Sequence, residues 1–171
     1  MKLIFLDIDG VLNSWEHSIR ICEQKERNEP LDDQWEEAFD PYAIERLNNI
    51  IEETGALVVI SSTWRMTYGS AYLEYIFNKL DFRGKIVGAT PVLRESRTKT
   101  SCGRYIQRGY EIDNWLKALE GYIESYVIID DDNDMTEEQQ DCYIKTECSV
   151  GLQDSHVGRA IDILNCAAKN S

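Results

Sequence analysis

A chain of 171 residues with 43% apolar and 29% charged side chains can bury one sizeable core and lacks the polar bias of a disordered protein, so a single domain spanning residues 1–171 is expected. Its formal charge of −13 works against tight, non-specific nucleic-acid binding, which depends on Lys and Arg neutralising phosphates, although a local basic patch can still hold one phosphate. The five cysteines are odd in number and form no C-x-x-C pair, so they read as reduced thiols of a cytoplasmic protein.

Leu3 to Leu6 is an apolar run that reads as a buried parallel strand, and Asp7 ends it too soon for a signal-peptide core or a membrane span. From Ser14 to Asp40 the chain is polar and acidic with scattered apolar positions, which suits an inserted flap better than core. Asp40-Pro41 has the form of a helix start, with Ile44, Leu47, Ile50 and Ile51 at helical spacing and Gly55 as the stop. Ala56 to Ile60 is a second apolar strand that also ends in small polar residues, Ser61-Ser62-Thr63.

A helix is expected from Ser70 to Leu80 and a short strand from Lys85 to Ala89. Arg94 to Arg104 has no apolar periodicity and reads as a mobile loop. Its Arg94, Arg97, Lys99 and Arg104 are able to grip a nucleic-acid backbone, though charged loops are usually just solvated. Beyond it come a helix from about Arg108 to Leu119, an apolar strand from Tyr126 to Ile129 running into Asp130-Asp131-Asp132, a strand near Cys142 to Thr146, and a helix from His156 to Ala168. His17 and His156 have no ligand-spaced partner and receive no role.

Strands alternating with helices imply a parallel sheet whose ligands bind beyond the carboxyl ends of the strands, which places Asp7, Ser61 and Asp131 at one edge. Carboxylates converging there from two strand ends repel one another and call for a cation, and hard oxygen donors select Mg²⁺. Such a site suits phosphoryl transfer. One Asp attacks phosphorus to give a covalent aspartyl-phosphate, and a second carboxylate manages the protons. An isolated D-x-D-G is a common turn; the matching strand ends give this one its weight.

Asp7-Ile8-Asp9-Gly10-Val11-Leu12-Asn13 resembles the first motif of the haloacid dehalogenase-like (HAD) superfamily, D-x-D-G-(T/V) after an apolar strand. Val58-Val59-Ile60-Ser61 resembles its second motif and Ile128-Ile129-Asp130-Asp131 its fourth. The third is a basic residue opening a helix, for which Arg108 is favoured over Arg104 and Lys117. With S-S-T-W-R, R-G-Y-E-I-D-N-W-L and a late G-L, the chain is more narrowly similar to the small HAD domains grouped with Swiss Army knife RNA-repair proteins.

This resemblance implies that Asp7 is nucleophile and Mg²⁺ ligand, and that Asp9 is the general acid/base whose backbone carbonyl also binds the metal. Asp131 would be the main metal ligand, with Asp130 in support. Ser61 would hydrogen-bond the transferring phosphoryl group, helped by backbone N–H groups near Asp9 and Gly10. Arg108 would stand where the superfamily more often has Lys. Ser62, Trp64 and Arg65 would line the substrate, with Arg65 reaching a second phosphate or a carboxylate; Trp64 equally suits a cover for the core edge. The chain departs from the pattern at Met135, where a further acid is common, and Asp132 or Asp134 would have to substitute.

The implied fold is a three-layer, Rossmann-like α/β domain with a short flap at about 14–40 and no large cap. The implied activity is Mg²⁺-dependent hydrolysis of a phosphomonoester, on a nucleotide or a nucleic-acid 3′-phosphate end, with no membrane partner and with oligomerisation as one way to close an open site. A different class of reading is a non-catalytic HAD scaffold serving as a binding subunit of a repair or phage complex. Retention of both Asp7 and Asp9 counts against it.

Overall fold

The apolar runs become strands. Lys2–Leu6 (β1), Leu57–Ile60 (β2), Ile86–Ala89 (β3), Ser125–Asp130 (β4) and Tyr143–Lys145 (β5) pair in parallel in the order β3-β2-β1-β4-β5. The computed structural model describes residues 1–31, 37–93 and 107–166. Around the sheet lie helices Trp15–Glu26 (α1), Pro41–Thr54 (α2), Trp64–Thr67 (α3), Ser70–Phe77 (α4), Arg108–Ala118 (α5) and Asp154–Cys166 (α6).

Both faces of the sheet are covered, which is why its central strands are apolar without alternation. Ile4 and Leu6 of β1 share a core with Leu47 and Ile50 of α2, Leu73 and Phe77 of α4, and Ala160 and Leu164 of α6. Leu3 and Phe5 of β1, Val59 of β2 and Ile128 of β4 share the other core with Ile112 of α5. The result is a three-layer α/β fold with a central parallel sheet. After β3 the chain returns to pair β4 with β1, so the strand order reverses between them and opens a crevice at their carboxyl ends.

α2 follows its sequence signals: the Asp40 side chain accepts the Tyr42 N–H at 3.0 Å, and Gly55 closes the helix in the left-handed conformation. Other boundaries shift. α4 ends at Phe77 rather than Leu80, and the turn beyond it includes Asp81 at φ 53°. α6 starts at Asp154 rather than His156, because the His156 Nδ1 accepts the Gln153 N–H at 3.0 Å and so caps the first turn from inside it.

The expected flap contains α1, capped by the Ser14 hydroxyl and burying His17 and Ile21. Phe39 at its far end is a core residue, 1% exposed. Residues 32–36, and the whole basic run Arg94 to Arg104, lie outside the described residues. Among the described elements, α1, α3 and a 3₁₀ helix over Glu137–Cys142 were not anticipated. The last carries a readable signal, the Thr136/Gln139 capping box.

Candidate active site

Three strands end at one level. Leu6 pairs with Ile60 on one side and Ile129 on the other, so Asp7, Ser61 and Asp130 come next, side by side. The Ser61 N–H donates to the Leu6 carbonyl at 2.9 Å and the Asp7 N–H to the Ile129 carbonyl at 3.0 Å. The two-residue period of a strand then puts Asp7 on the face of Leu3 and Phe5, Ser61 on that of Val59, and Asp130 on that of Ile128. This is the face that α5 covers, and Arg108 is the first residue of α5.

Arg108 closes the arrangement. Its Nη1 lies 2.8 Å from Asp7 Oδ2 and 2.7 Å from Asp130 Oδ2, with its side chain only 8% exposed. The start of α5 is held there by the Asp134 carboxylate, which accepts the Arg108 N–H at 2.9 Å. Gly109 lets it approach: a Cβ there would meet the Thr136 nitrogen at 2.7 Å. Burial disfavours the Arg108 cation, but the Asp7 and Asp130 carboxylates outweigh it and hold its pKa above the usual guanidinium value.

The acids feel the opposite pressure. Burial, then the Asp7 charge, push Asp130 up to about 8 despite Arg108, and burial with Asp7 and Asp132 also raises Asp131. One oxygen each from Asp7, Asp130 and Asp131 lie within 4.8 Å of one another. Asp131 reaches this group across Gly10, whose φ is +70° and where a Cβ would sit 2.3 Å from Asp131 Oδ2. Only glycine meets both demands at that position. The Thr146 hydroxyl donates to the Gly10 carbonyl at 2.8 Å and steadies the same turn.

Asp9 stands apart from that group, exposed at the rim. Its Oδ1 accepts Asn13 Nδ2 at 2.8 Å and its Oδ2 accepts Trp64 Nε1 at 3.0 Å. A cavity of about 370 Å³ opens beside Asp9 and Asp131, walled by Trp15 and Ser18 of α1 and by Trp64.

The family model described as the HAD domain in Swiss Army Knife RNA repair proteins matches residues 3–157. The chain belongs to that family. Comparison with curated proteins and with solved structures gave no match.

Within this HAD domain the expected residues separate into those gathered at the strand ends and those turned inward. Asp7, Ser61, Arg108 and Asp130 meet at one edge, with Asp131 and Gly10 against them and Asp9 at the rim. The Ser61 Oγ is buried and has no hydrogen-bond partner among the described residues. The Gly10 N–H donates to Asn13 Oδ1 at 2.9 Å, so it is committed to the loop itself.

Ser62 is buried and its Oγ accepts the Trp64 N–H at 3.3 Å. Arg65 is likewise turned inward: it donates to the carbonyls of Thr90 at 3.0 Å, Ser61 at 2.7 Å and Ser62 at 2.5 Å, and pairs with the buried Glu111 carboxylate. Its reach to a carboxylate is thus internal. Lys117 is exposed in the last turn of α5, and Arg104 lies outside the described residues. Met135 is in the core, Asp134 caps α5, and Asp132 is exposed with Oδ2 3.9 Å from Arg108. Asn13 and Glu111 were given no role from sequence, although Asn13 sits inside the first motif.

Proposed function

We propose that this HAD domain hydrolyses phosphate monoesters through a covalent phosphate on Asp7, with Mg²⁺ as cofactor. The observation that carries the reading is the Arg108 guanidinium bridging Asp7 and Asp130 at 2.8 and 2.7 Å, beside the acidic group that Asp131 completes. A carboxylate nucleophile, a fixed cation for the transferring oxygens and hard oxygen donors for a dication are what phosphoryl transfer requires.

The donors fit the metal: Asp7, Asp130 and Asp131 would hold Mg²⁺, which draws charge off the phosphoryl oxygens when bound. The upward push on Asp130 and Asp131, from burial first and the Asp7 charge second, persists despite Arg108 and supports this assignment, since a dication would relieve it.

In the first step an Asp7 oxygen forms a bond to phosphorus while the ester oxygen departs, taking a proton from Asp9. In the second, water gives its proton to Asp9 and attacks phosphorus, breaking the bond to Asp7. The two steps together return Asp9 to its starting form. Ser61 Oγ, buried beside Asp7 and without a hydrogen-bond partner among the described residues, would donate to a phosphoryl oxygen, and Arg108 would turn part of its fork to another. The leaving group would occupy the cavity beside Asp9. The RNA-repair description of the family favours a nucleotide or a nucleic-acid 3′-phosphate end as substrate. A purely binding scaffold has no use for a second carboxylate held at the rim.

Phosphate release from a generic phosphomonoester, with and without Mg²⁺, tests the reading. Asp7→Asn should lower turnover at least about a thousandfold. Metal-independent turnover, or full activity of Asp7→Asn, would contradict it. Comparing nucleoside monophosphates with 3′-phosphorylated oligonucleotides at two salt concentrations addresses the substrate, since preference for the oligonucleotide that weakens with salt implicates backbone contacts.

A further inference from the structure

We infer that Trp64 and Asn13 are positioning residues for Asp9, holding its carboxyl group in one orientation at the mouth of the site. This rests on the reading that Asp9 moves the protons. Asp9 is exposed, and an exposed carboxylate without partners samples several rotamers. Here both of its oxygens are spoken for, Oδ1 by the Asn13 amide at 2.8 Å and Oδ2 by the Trp64 indole at 3.0 Å.

Each donor is itself anchored. The Asn13 Oδ1 accepts the Gly10 N–H at 2.9 Å, which sets the amide so that its NH₂ faces Asp9. The Trp64 ring packs edge-on against buried Phe39 at 5.2 Å and lies 5.4 Å from Tyr68, and its backbone N–H is held by Ser62. One restraint therefore comes from the loop that bears Asp9, and the other from the end of the neighbouring strand.

Both contacts fix the direction in which the carboxylate faces the cavity. Trp64 and Asp9 together border that cavity and a second one of about 350 Å³ that reaches Tyr68, so the substrate would meet the carboxyl group beside the indole.

Two measurements on the full chain test this. Indole proton–nitrogen NMR spectra of the wild type, Trp64→Phe and Asp9→Ala identify the Trp64 signal by its loss in the first variant. That signal should move upfield in Asp9→Ala as the hydrogen bond disappears. An unmoved signal overturns the contact whatever the protein's activity.

Trp64→Phe keeps a ring against Phe39 and removes the donor alone. Its kcat/KM should fall at least roughly tenfold more for an alkyl phosphate, whose leaving oxygen needs the proton, than for para-nitrophenyl phosphate, whose leaving group does not. Equal losses on both esters would mean a general structural effect and overturn the proposal. Absence of turnover in the wild type would count against the phosphatase reading, and the NMR result would still decide the Asp9 contact.

Discussion

Arg108 bridges Asp7 and Asp130 with a single nitrogen, and α5 supplies no other cation at that point. Arg108→Ala should therefore leave two buried acids with backbone donors but no cationic partner, and lower the unfolding free energy in EDTA by about 3–5 kcal/mol, with a smaller loss in Mg²⁺. Urea denaturation in the two buffers measures both; an equal loss would mean that no dication reaches the site. Gly10→Ala forces a left-handed alanine and a Cβ into Asp131. The expected cost is about 1–3 kcal/mol, together with weaker divalent binding by calorimetry. Asp7, Asp9 and Asp131 were legible because each lies on or just past an apolar strand end. The Trp64–Asp9 bond was not, because it joins residues 55 apart through the pairing of β1 with β2.

The ends of elements, more than their middles, build this site. Arg65 ties the end of β2, through the Ser61 and Ser62 carbonyls, to Thr90 after β3 and to Glu111 on α5. Arg65→Ala would leave a buried Glu111 charge and unpaired carbonyls, and should lower stability by about 3–5 kcal/mol in urea denaturation. A loss under about 1 kcal/mol would show that water takes over those bonds. Where an element carries its own punctuation, as α2 does with Asp40, Pro41 and Gly55, sequence suffices to place it. α3 carries none: Thr63 makes no side-chain cap, and the four-residue turn is held by the local Ser62 contact and by the bond from Arg65 to the Thr90 carbonyl, which exists only after β2 and β3 have paired. The flap read as polar with scattered apolar positions, yet Ile21 within α1 is buried and Phe39 at the far end joins the core.

At the scale of the whole molecule, a net charge of −13 surrounds a site that gathers carboxylates, so proton and dication compete for the same place. Asp130 is pushed up to about 8 in the folded chain, well above an ordinary carboxyl group, so the folded state holds that proton more tightly than the unfolded one. Its contribution to stability is full in acid and is lost as pH rises through about 8, while Mg²⁺, which displaces the proton, should stabilise more as pH rises. The Tm difference between Mg²⁺ and EDTA should accordingly be larger near pH 8 than near pH 6; the reverse order would remove Asp130 from the metal site. The parallel sheet and its switch point followed from apolar runs alternating with helices, whereas the parity that turns Asp7, Ser61 and Asp130 toward α5 needed the register of β1 against its neighbours. The most direct test of the account is chemical trapping of the intermediate. Acid-quenched enzyme, reduced with borohydride after brief exposure to substrate and Mg²⁺, should carry homoserine at position 7; phosphate release with Asp7 left unmodified in the quenched enzyme would contradict attack by Asp7.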